Sequence, residues 1–277
     1  METGCWNGNL SARNFEMEVK RILMERGVRA TRSLGQYFLI DDGVAARMVE
    51  YAGVGSGDVV LEIGAGVGSV TEKLARKAKK VYAVEKDKEL CEILQERYRN
   101  KESKIEVIEG DIMKIELPEF DKVVASIPFS LSSPITYKLL LHDPGFGLAV
   151  LLYQKEFAQK MVANPRSSVY GRLSVIVQTL ADIENLELVH RDAFYPSPPV
   201  KTAIVRLTEK KKEERTVEEK KKFFEFVSTA FEHRRKKMRN IFKTSKTSFP
   251  GSLALEELER RPEELRPEEF VKLMRYI

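Results

Sequence analysis

The stretch from Asp58 to Ser69 constrains the fold of this chain more than any other feature. It reads Asp-Val-Val-Leu-Glu-Ile-Gly-Ala-Gly-Val-Gly-Ser, a short apolar run whose only charge is Glu62, followed by three glycines at alternate positions. Apolar residues at positions 70, 74 and 75 then recur with helical spacing. Strand, glycine turn and helix open a nucleotide-binding βαβ unit, in which glycine backbone lies against the ligand. The alternative is a tight turn in another α/β fold.

Two later strands end beside acidic residues at informative positions. The second strand, Lys80–Glu85, ends 21 positions after Gly64. A carboxylate at Glu85 can accept both ribose hydroxyls of an adenosine cofactor, whereas a solvated strand end is the alternative. A third strand from Lys104 runs into Asp111, whose carboxylate can hydrogen-bond the exocyclic amine of the cofactor's adenine.

Three features together resemble class I methyltransferases, which use S-adenosylmethionine. They are the glycine turn, the acidic residue that ends the second strand and the Gly-Asp pair that follows the third strand. A nicotinamide-type fingerprint normally places its third glycine one residue later than Gly68, so we favour the methyltransferase over a dehydrogenase. The resemblance implies S-adenosylmethionine as the cofactor, bound near Glu62, Gly64 and Gly66.

Apolar runs and helical patterns alternate from residue 42 to residue 208. The predicted helices are 42–52, 70–78, 87–99, 134–141, 155–163 and 172–181. The predicted strands are 58–63, 80–85, 104–108, 121–125, 147–153, 183–190 and 201–208. This alternation predicts an α/β fold with a doubly wound, mainly parallel, Rossmann-like sheet that binds its ligand at the carboxyl ends of the strands.

Charge and periodicity divide the chain into three predicted parts. Residues 1–30 hold an extension and a short helix, and residues 31–208 form the S-adenosylmethionine-binding catalytic domain. The wholly charged run from Glu209 to Arg215 marks the boundary, after which the pattern is helical throughout. Residues 209–277 are therefore predicted to form a small all-helical C-terminal domain.

Composition limits the classes of protein to which the chain can belong. No run approaches the roughly 18–20 apolar residues needed to span a bilayer, and the polar N-terminus lacks the layout of a signal peptide. We therefore expect a cytoplasmic protein without a membrane partner. Cys5 and Cys91 form neither a disulfide framework nor a metal-ligand set, so no metal site is predicted.

Positive charge is concentrated near the C-terminal end of the chain. The net charge is +5, whereas residues 201–247 contain 16 Lys+Arg and 7 Asp+Glu, a local net of +9. Such a segment suits a polyanionic partner, because neutralised phosphates release counterions. A solvated, lysine-rich helical face is the alternative.

The tetrad Ser126-Ile127-Pro128-Phe129 follows the fourth predicted strand. An exocyclic adenine amine is a poor nucleophile, and two hydrogen-bond acceptors beside it free its lone pair. The Ser126 side chain and a backbone carbonyl held by Pro128 supply such acceptors. The Phe129 ring can stack on the base, which is worth about 1–3 kcal/mol. The sulfonium is the electrophile, so neither a metal nor a strong base is required. An ordinary strand-ending proline turn is the alternative.

Most of the chain is similar to the ribosomal small-subunit RNA adenine dimethyltransferase family, and to its archaeal branch in particular. The resemblance covers roughly residues 31 to 245. The matching segments are Leu34–Asp41, Glu62–Gly66, Glu85, Gly110–Asp111, Ser133–Thr136, Tyr170–Ser174, Phe194–Pro198, Val205–Leu207 and Phe231–Asn240.

The resemblance implies both a reaction and a site. Two methyl groups are transferred to the N6 amine of each of two adjacent adenines, in a hairpin loop near the 3′ end of small-subunit rRNA within an immature 30S particle. The tetrad is implied to be catalytic. The implied cofactor-binding residues are Gln36, Tyr37, Leu39, Glu62, Gly64, Gly66, Glu85, Asp111 and Ser126. We expect a monomer.

A basic run near the C-terminus is the candidate RNA-binding element. It comprises Arg234, Arg235, Lys236, Lys237 and Arg239, and we predict that it lies on a helix. The functional interpretation is contact with rRNA phosphates, which positions the substrate without reading sequence. The structural interpretation is a solvated helix tip whose cations pair with nearby glutamates.

Two residues depart from the family pattern. Ser126 stands where the family usually has Asn, and its hydroxyl is shorter and less firmly oriented than an amide. Tyr37 stands where the family often has a smaller polar residue. We expect Ser126 to permit activity; the alternative is a weak or inactive assembly factor that binds S-adenosylmethionine and rRNA. A small-molecule methyltransferase fits poorly with the basic helical region.

Overall fold

The computed structural model describes residues 12–28, 30, 35–101, 104–210, 215–243, 249 and 255–276. The helices are α1 (Ala12–Glu25), α2 (Asp42–Tyr51), α3 (Ser69–Lys77), α4 (Lys88–Tyr98), α5 (Ser132–Leu140), α6 (Lys155–Met161), α7 (Arg172–Leu180), α8 (Val217–Glu232), α9 (Met238–Phe242) and α10 (Pro267–Met274). The strands are β1 (Phe38–Leu39), β2 (Val59–Ile63), β3 (Lys80–Glu85), β4 (Ile105–Glu109), β5 (Lys122–Ser126), β6 (Leu148–Gln154), β7 (Ala181–Val189), β8 (Phe194–Tyr195) and β9 (Thr202–Glu209).

Seven of these strands form one sheet in the order β4-β3-β2-β5-β6-β9-β7. The pairs β2·β3, β3·β4, β2·β5 and β5·β6 are parallel. The predicted doubly wound, mainly parallel α/β fold is therefore confirmed, and the predicted elements between residues 42 and 208 are present with bounds shifted by at most two residues. The strand order reverses between β2 and β5, and a crevice at such a switch point binds ligands in open α/β sheets.

The central strands are apolar along almost their full length because helices cover both faces of a parallel sheet. Val60 lies opposite Val81 on β3, Leu61 lies opposite Val123 on β5, and all four side chains are completely buried. Glu62 is an exception, since it is charged in water and yet only 2% exposed here. A buried carboxylate in a central strand next to the switch point marks this end of the sheet as unusual.

The side chains that precede α2 and α4 explain where these two helices begin. The Asp41 carboxylate accepts the amide of Val44 at 3.0 Å and caps α2. The Asp87 carboxylate caps α4 in the same way, through the amides of Glu89 and Leu90. Each cap satisfies amides that have no partner within the helix, so the helix starts are fixed by short-range chemistry.

The chain divides into two compact units. The first comprises residues 1–139, 146–155 and 184–207, and the second comprises 140–145, 156–183 and 208–277. Within the second unit the Tyr170 hydroxyl donates to the Leu265 carbonyl at 2.7 Å, which joins segments 95 positions apart. No change of composition in the sequence indicates that residues 156–183 pack with the C-terminal helices. The division at residues 30 and 208, and the roles given to the three parts, remain predictions.

None of the helices in the described ranges combines the length and apolar character needed to cross a membrane. The same ranges contain no group of three or more His, Cys, Asp or Glu side chains arranged to hold a metal ion.

Candidate active site

The glycine turn between β2 and α3 forms the floor of the site. Gly64, Gly66 and Gly68 have φ values of 71°, 59° and 88°, a region that L side chains rarely adopt. A β-carbon on Gly66 would lie 3.3 Å from Phe38 Cδ1, and one on Gly64 would lie 3.5 Å from Pro128 Cδ. The turn therefore needs glycine at these positions for its backbone conformation, and at Gly66 also for the close approach of Phe38.

Glu85 ends β3 and is bound to the glycine turn. Its Oε2 accepts the Gly66 amide at 2.9 Å, while its Oε1 accepts the amides of Lys86 and Asp87 at 2.7 and 3.0 Å. Burial raises the pKa of Glu85, and these three amides oppose the rise. A carboxylate has about four acceptor positions, so roughly one remains for a ribose hydroxyl.

Glu62 lies beneath the same turn. Within the described residues its Oε2 has no hydrogen-bond partner, although the atom is buried. Burial raises the pKa of Glu62 to about 8, and the neighbouring Thr71 opposes the rise only in part. A buried carboxyl oxygen that has no hydrogen-bond partner among the described residues and lines a cavity matches a ligand that carries positive charge.

Asp111 follows β4 at the opposite side of the site. Its carboxylate accepts the Met113 amide at 3.0 Å and the Lys86 ammonium at 2.9 Å, and the Lys86 bond lowers the pKa of Asp111. The Lys138 ammonium, on α5, donates to the carbonyls of Ile112 and Ile115 at 2.6 Å each. Lys138 thereby fixes the loop that carries Asp111.

The tetrad 126–129 turns directly toward the glycine turn. Ser126 ends β5, and Ile127 is buried, with its amide bonded to the Leu152 carbonyl at 3.3 Å. Pro128 and Phe129 are half-buried and line the cavity. Ser132 Oγ donates to the Phe129 carbonyl at 3.0 Å and holds the corner at the start of α5. Pro128 thus lies beside Gly64 of the glycine turn, and both Pro128 and Phe129 are accessible from the cavity.

The segment 35–39 closes the other side of the cavity. Gly35 has a φ of 70°, and a β-carbon there would lie 3.0 Å from the Ser130 amide nitrogen. β1 pairs antiparallel with β8, and Ser69 Oγ donates to the Leu39 carbonyl at 2.7 Å. The two-stranded pairing was not predicted, because strands of two residues are too short to produce a periodic pattern.

These elements enclose one cavity of about 420 Å³. Its lining contains every residue predicted for the cofactor and for catalysis, namely Gln36, Tyr37, Leu39, Glu62, Gly64, Gly66, Glu85, Asp111, Ser126, Ile127, Pro128 and Phe129. Sequence reasoning missed the apolar residues Val67, Leu90, Ile112 and Met113, which also line it. Isolated apolar residues after a turn resemble ordinary core residues, so no pattern distinguishes them.

A mainly parallel sheet with a glycine turn, a carboxylate after β3 and a polar-proline-aromatic tetrad after β5 defines a class I S-adenosylmethionine-dependent methyltransferase. Residues 27–276 match the family described as ribosomal RNA adenine dimethylase. The chain therefore belongs to the ribosomal RNA adenine dimethylase family, as predicted.

Curated relatives agree with this assignment. A probable ribosomal RNA small subunit methyltransferase A of Thermococcus onnurineus is 41% identical over 267 residues, covering 92% of this chain and 95% of that protein. Its counterpart from Methanothermobacter thermautotrophicus is 40% identical over 270 residues, covering 94% and 95%. The similarity thus extends over nearly the whole of each chain.

Solved structures show the same fold. A dimethyladenosine transferase from Plasmodium falciparum superposes with a TM-score of 0.73 at 30% identity, covering 85% of this chain and 95% of that chain. The 23S rRNA methyltransferase ErmE superposes with a TM-score of 0.64 at 27% identity, covering 86% and 98%.

The basic run belongs to the second unit, and the predicted helix over it is wrong. α8 ends at Glu232, residues 233–236 form a turn closed by the Lys236 amide and the His233 carbonyl at 2.8 Å, and α9 begins at Met238. The Met238 amide donates to the Arg260 carbonyl at 2.9 Å and not to Arg234, four residues earlier, so a contact with a distant segment interrupts the helix.

Three of the five cations in this run are engaged in ion pairs. Arg234 pairs with Glu263, while Lys237 and Arg239 share Glu259 at 3.1 and 2.8 Å. Arg235 and Lys236 are exposed and form no ion pair with any described residue. The sequence alone could not separate the two groups, because the glutamates are supplied by segments 20 or more positions away.

Proposed function

We propose that this protein transfers methyl groups from S-adenosylmethionine to the N6 amines of two adjacent adenines, in a hairpin loop near the 3′ end of small-subunit rRNA. The substrate is an immature 30S particle in the cytoplasm, and the enzyme acts as a monomer. One observation supports this most strongly: Pro128 lies against Gly64 of the glycine turn, and Phe129 lines the same cavity.

The residues of the cavity fit the cofactor. Gly64 and Gly66 leave room for the cofactor beside the turn, and Glu62 offers a buried carboxyl oxygen with no hydrogen-bond partner among the described residues. Glu85 retains about one acceptor position for a ribose hydroxyl, and Asp111 offers an acceptor for an adenine amine. When bound, S-adenosylmethionine supplies an electrophilic methyl group on a sulfonium.

The tetrad prepares the adenine amine for attack. The Pro128 carbonyl accepts the Leu131 amide at 2.8 Å, so we assign the Ile127 carbonyl, which is bonded to the proline nitrogen, as the backbone acceptor. The Ser126 hydroxyl is the second acceptor. Together they orient the amine and free its lone pair while Phe129 stacks on the base. S-adenosylmethionine would supply the methyl group and leave as the neutral thioether, and the proton released from the methylated amine would pass to water.

Methylation of immature 30S subunits tests the proposal. Purified protein, isotopically labelled S-adenosylmethionine and subunits that lack the modification are mixed, and the rRNA is digested for mass spectrometry. Labelled dimethyladenine at two adjacent positions is the expected result, and mature subunits are the matched control. Absence of methylated adenine at every protein concentration would contradict the proposal.

A second candidate function rests on Ser126. Because a hydroxyl reaches less far than an amide, the chain could retain the cofactor pocket and the rRNA-binding surface while serving as an assembly checkpoint. Ser126→Asn separates the two functions. A large gain in methylation from near zero supports the checkpoint, whereas an active wild type that changes only a few-fold supports the enzyme.

We also propose that residues 209–277 contact rRNA, chiefly through Arg235 and Lys236. These two side chains are exposed and form no ion pair with the described residues. A phosphate can therefore approach them without displacing a carboxylate. Arg234, Lys237 and Arg239 would first have to leave Glu263 or Glu259.

A further inference from the structure

The side chain of Tyr37 lies against the ring of Phe129. The ring centroids are 5.0 Å apart, and the planes are inclined by 33°. Both residues are half-buried, and both line the cavity. This separation is within the range for attractive aromatic pairs and is too small to admit a base between the rings.

The backbone beside Tyr37 makes a second contact with the tetrad. A β-carbon on Gly35 would lie 3.0 Å from the Ser130 amide nitrogen and 3.1 Å from that of Phe129. The segment 35–37 thus touches the end of the tetrad through backbone at Gly35 and through a ring at Tyr37. Two contacts two residues apart restrict both the position and the rotation of Phe129.

The other end of this segment is attached to the cofactor turn. Phe38 is buried and lies next to Gly66, while the Leu39 carbonyl accepts the hydroxyl of Ser69 at the start of α3. One short segment therefore connects the glycine turn with the aromatic residue of the tetrad.

From these contacts we propose that Tyr37 is a positioning residue that sets the ring of Phe129 for stacking on the target adenine. This inference rests on the proposed function and adds to it the means by which the segment 35–39 controls the ring that stacks on the base. Tyr37 covers one side of Phe129, so the adenine stacks on the opposite side. A smaller polar residue at position 37 would leave that ring free to rotate.

A double-mutant cycle measures this role in kinetics with immature 30S subunits. Tyr37→Ala is expected to lower kcat/KM for the particle about 2- to 10-fold, the range for loss of one aromatic pair. Tyr37→Phe keeps the ring and is expected to stay within about twofold of wild type. In a Phe129→Ala background, Tyr37→Ala should have no further effect, because the ring that it positions is already absent.

Two results would overturn the proposal. One is an equal loss from Tyr37→Ala whether or not Phe129 is present. The other is a fall in S-adenosylmethionine affinity, measured by calorimetry without RNA, that matches the fall in kcat/KM, since Tyr37 would then act on the cofactor. Thermal unfolding of each variant shows whether a loss reflects misfolding.

A readout that does not require activity separates this inference from the proposed function. Fluorinated phenylalanine at position 129 gives a ¹⁹F resonance that reports the environment of the ring. Tyr37→Ala is expected to shift and broaden it, and Tyr37→Phe is expected to leave it nearly unchanged. An unchanged resonance in Tyr37→Ala would overturn the positioning role, whereas failure of the wild type to methylate rRNA would contradict only the proposed function.

Discussion

The carboxylate of Glu85 accepts the Gly66 amide at 2.9 Å and so joins the end of β3 to the glycine turn. In Glu85→Gln, one acceptor oxygen becomes an NH₂ group that faces an amide donor. We expect S-adenosylmethionine to bind at least about tenfold more weakly, because hydrogen bonds to charged groups contribute roughly 1.5–3 kcal/mol. Calorimetric titration measures the change.

Glu106→Gln is the matched control for that variant. Glu106 lies on the adjacent strand β4, is exposed and pairs with Lys80 at 2.7 Å. The Glu106→Gln variant is expected to bind S-adenosylmethionine with the same affinity as the wild type. Equal affinity of Glu85→Gln and wild type would show that the link between β3 and the turn is unimportant for binding.

Gly66→Ala tests whether the turn requires glycine at this position. An alanine at a positive φ is strained, so the free energy of unfolding of the variant is expected to fall by about 1–2 kcal/mol. The new methyl group would also lie 3.3 Å from Phe38 Cδ1, so cofactor binding should weaken as well. Gly53→Ala is the control, because Gly53 has a similar φ of 54° with nothing within 4 Å of its β-carbon position. Loss of cofactor affinity in both variants would attribute the effect to backbone strain.

The buried carboxyl of Glu62 predicts a dependence of stability on pH. Its pKa is raised to about 8 in the folded chain, so the folded state holds a proton that the unfolded state releases near its ordinary pKa. The stabilisation is fully present below that ordinary pKa and is lost as pH rises through about 8, by up to roughly 1.4 kcal/mol per pH unit.

Denaturant unfolding at pH 6 and pH 8 checks this dependence. Wild type should lose more stability between the two values than Glu62→Gln, which has no proton to release at this position. The same loss in both proteins would assign the dependence to other groups.

The exposed cations of the basic run predict a change in the salt dependence of rRNA binding. Replacing Arg235 and Lys236 by Ala should reduce the slope of log K against log salt by about 1.4–1.8, if each contacts one phosphate. Replacing Lys237 and Arg239, which share Glu259, should change the slope less. A larger change in the second pair would mean that the ion pairs open on RNA, and that the exposed pair is not the main contact.

Local patterns in the sequence predict the central sheet well. The apolar β-branched runs at Val59–Ile63 and Lys80–Glu85 become parallel strands because only a buried sheet accommodates them, and the glycines between strand and helix locate the ligand crevice. The polar residues that line the cavity could also be predicted, because they follow parallel strands whose carboxyl ends meet at one edge of the sheet.

Contacts between distant segments could not be predicted from those patterns. The pairing of Phe38 with Tyr195, the packing of Tyr170 near Leu265 and the pairing of Arg234 with Glu263 each join parts of the chain whose separation carries no local signature. The helix predicted over the basic run was wrong for the same reason, because the Met238 amide bonds to the distant Arg260 carbonyl and not within a helix.

The helix α5 is connected to two parts of the cavity lining, the tetrad and, through Lys138, the loop that carries Asp111. The helix begins directly after the tetrad, and the ammonium of Lys138 holds the loop that carries Asp111. A tilt of α5 would therefore move the side of the cavity on which we propose that the target base rests, together with the side proposed to accept the nucleoside part of the methyl donor. Changes in base preference and changes in donor affinity should consequently arise together in variants of this helix.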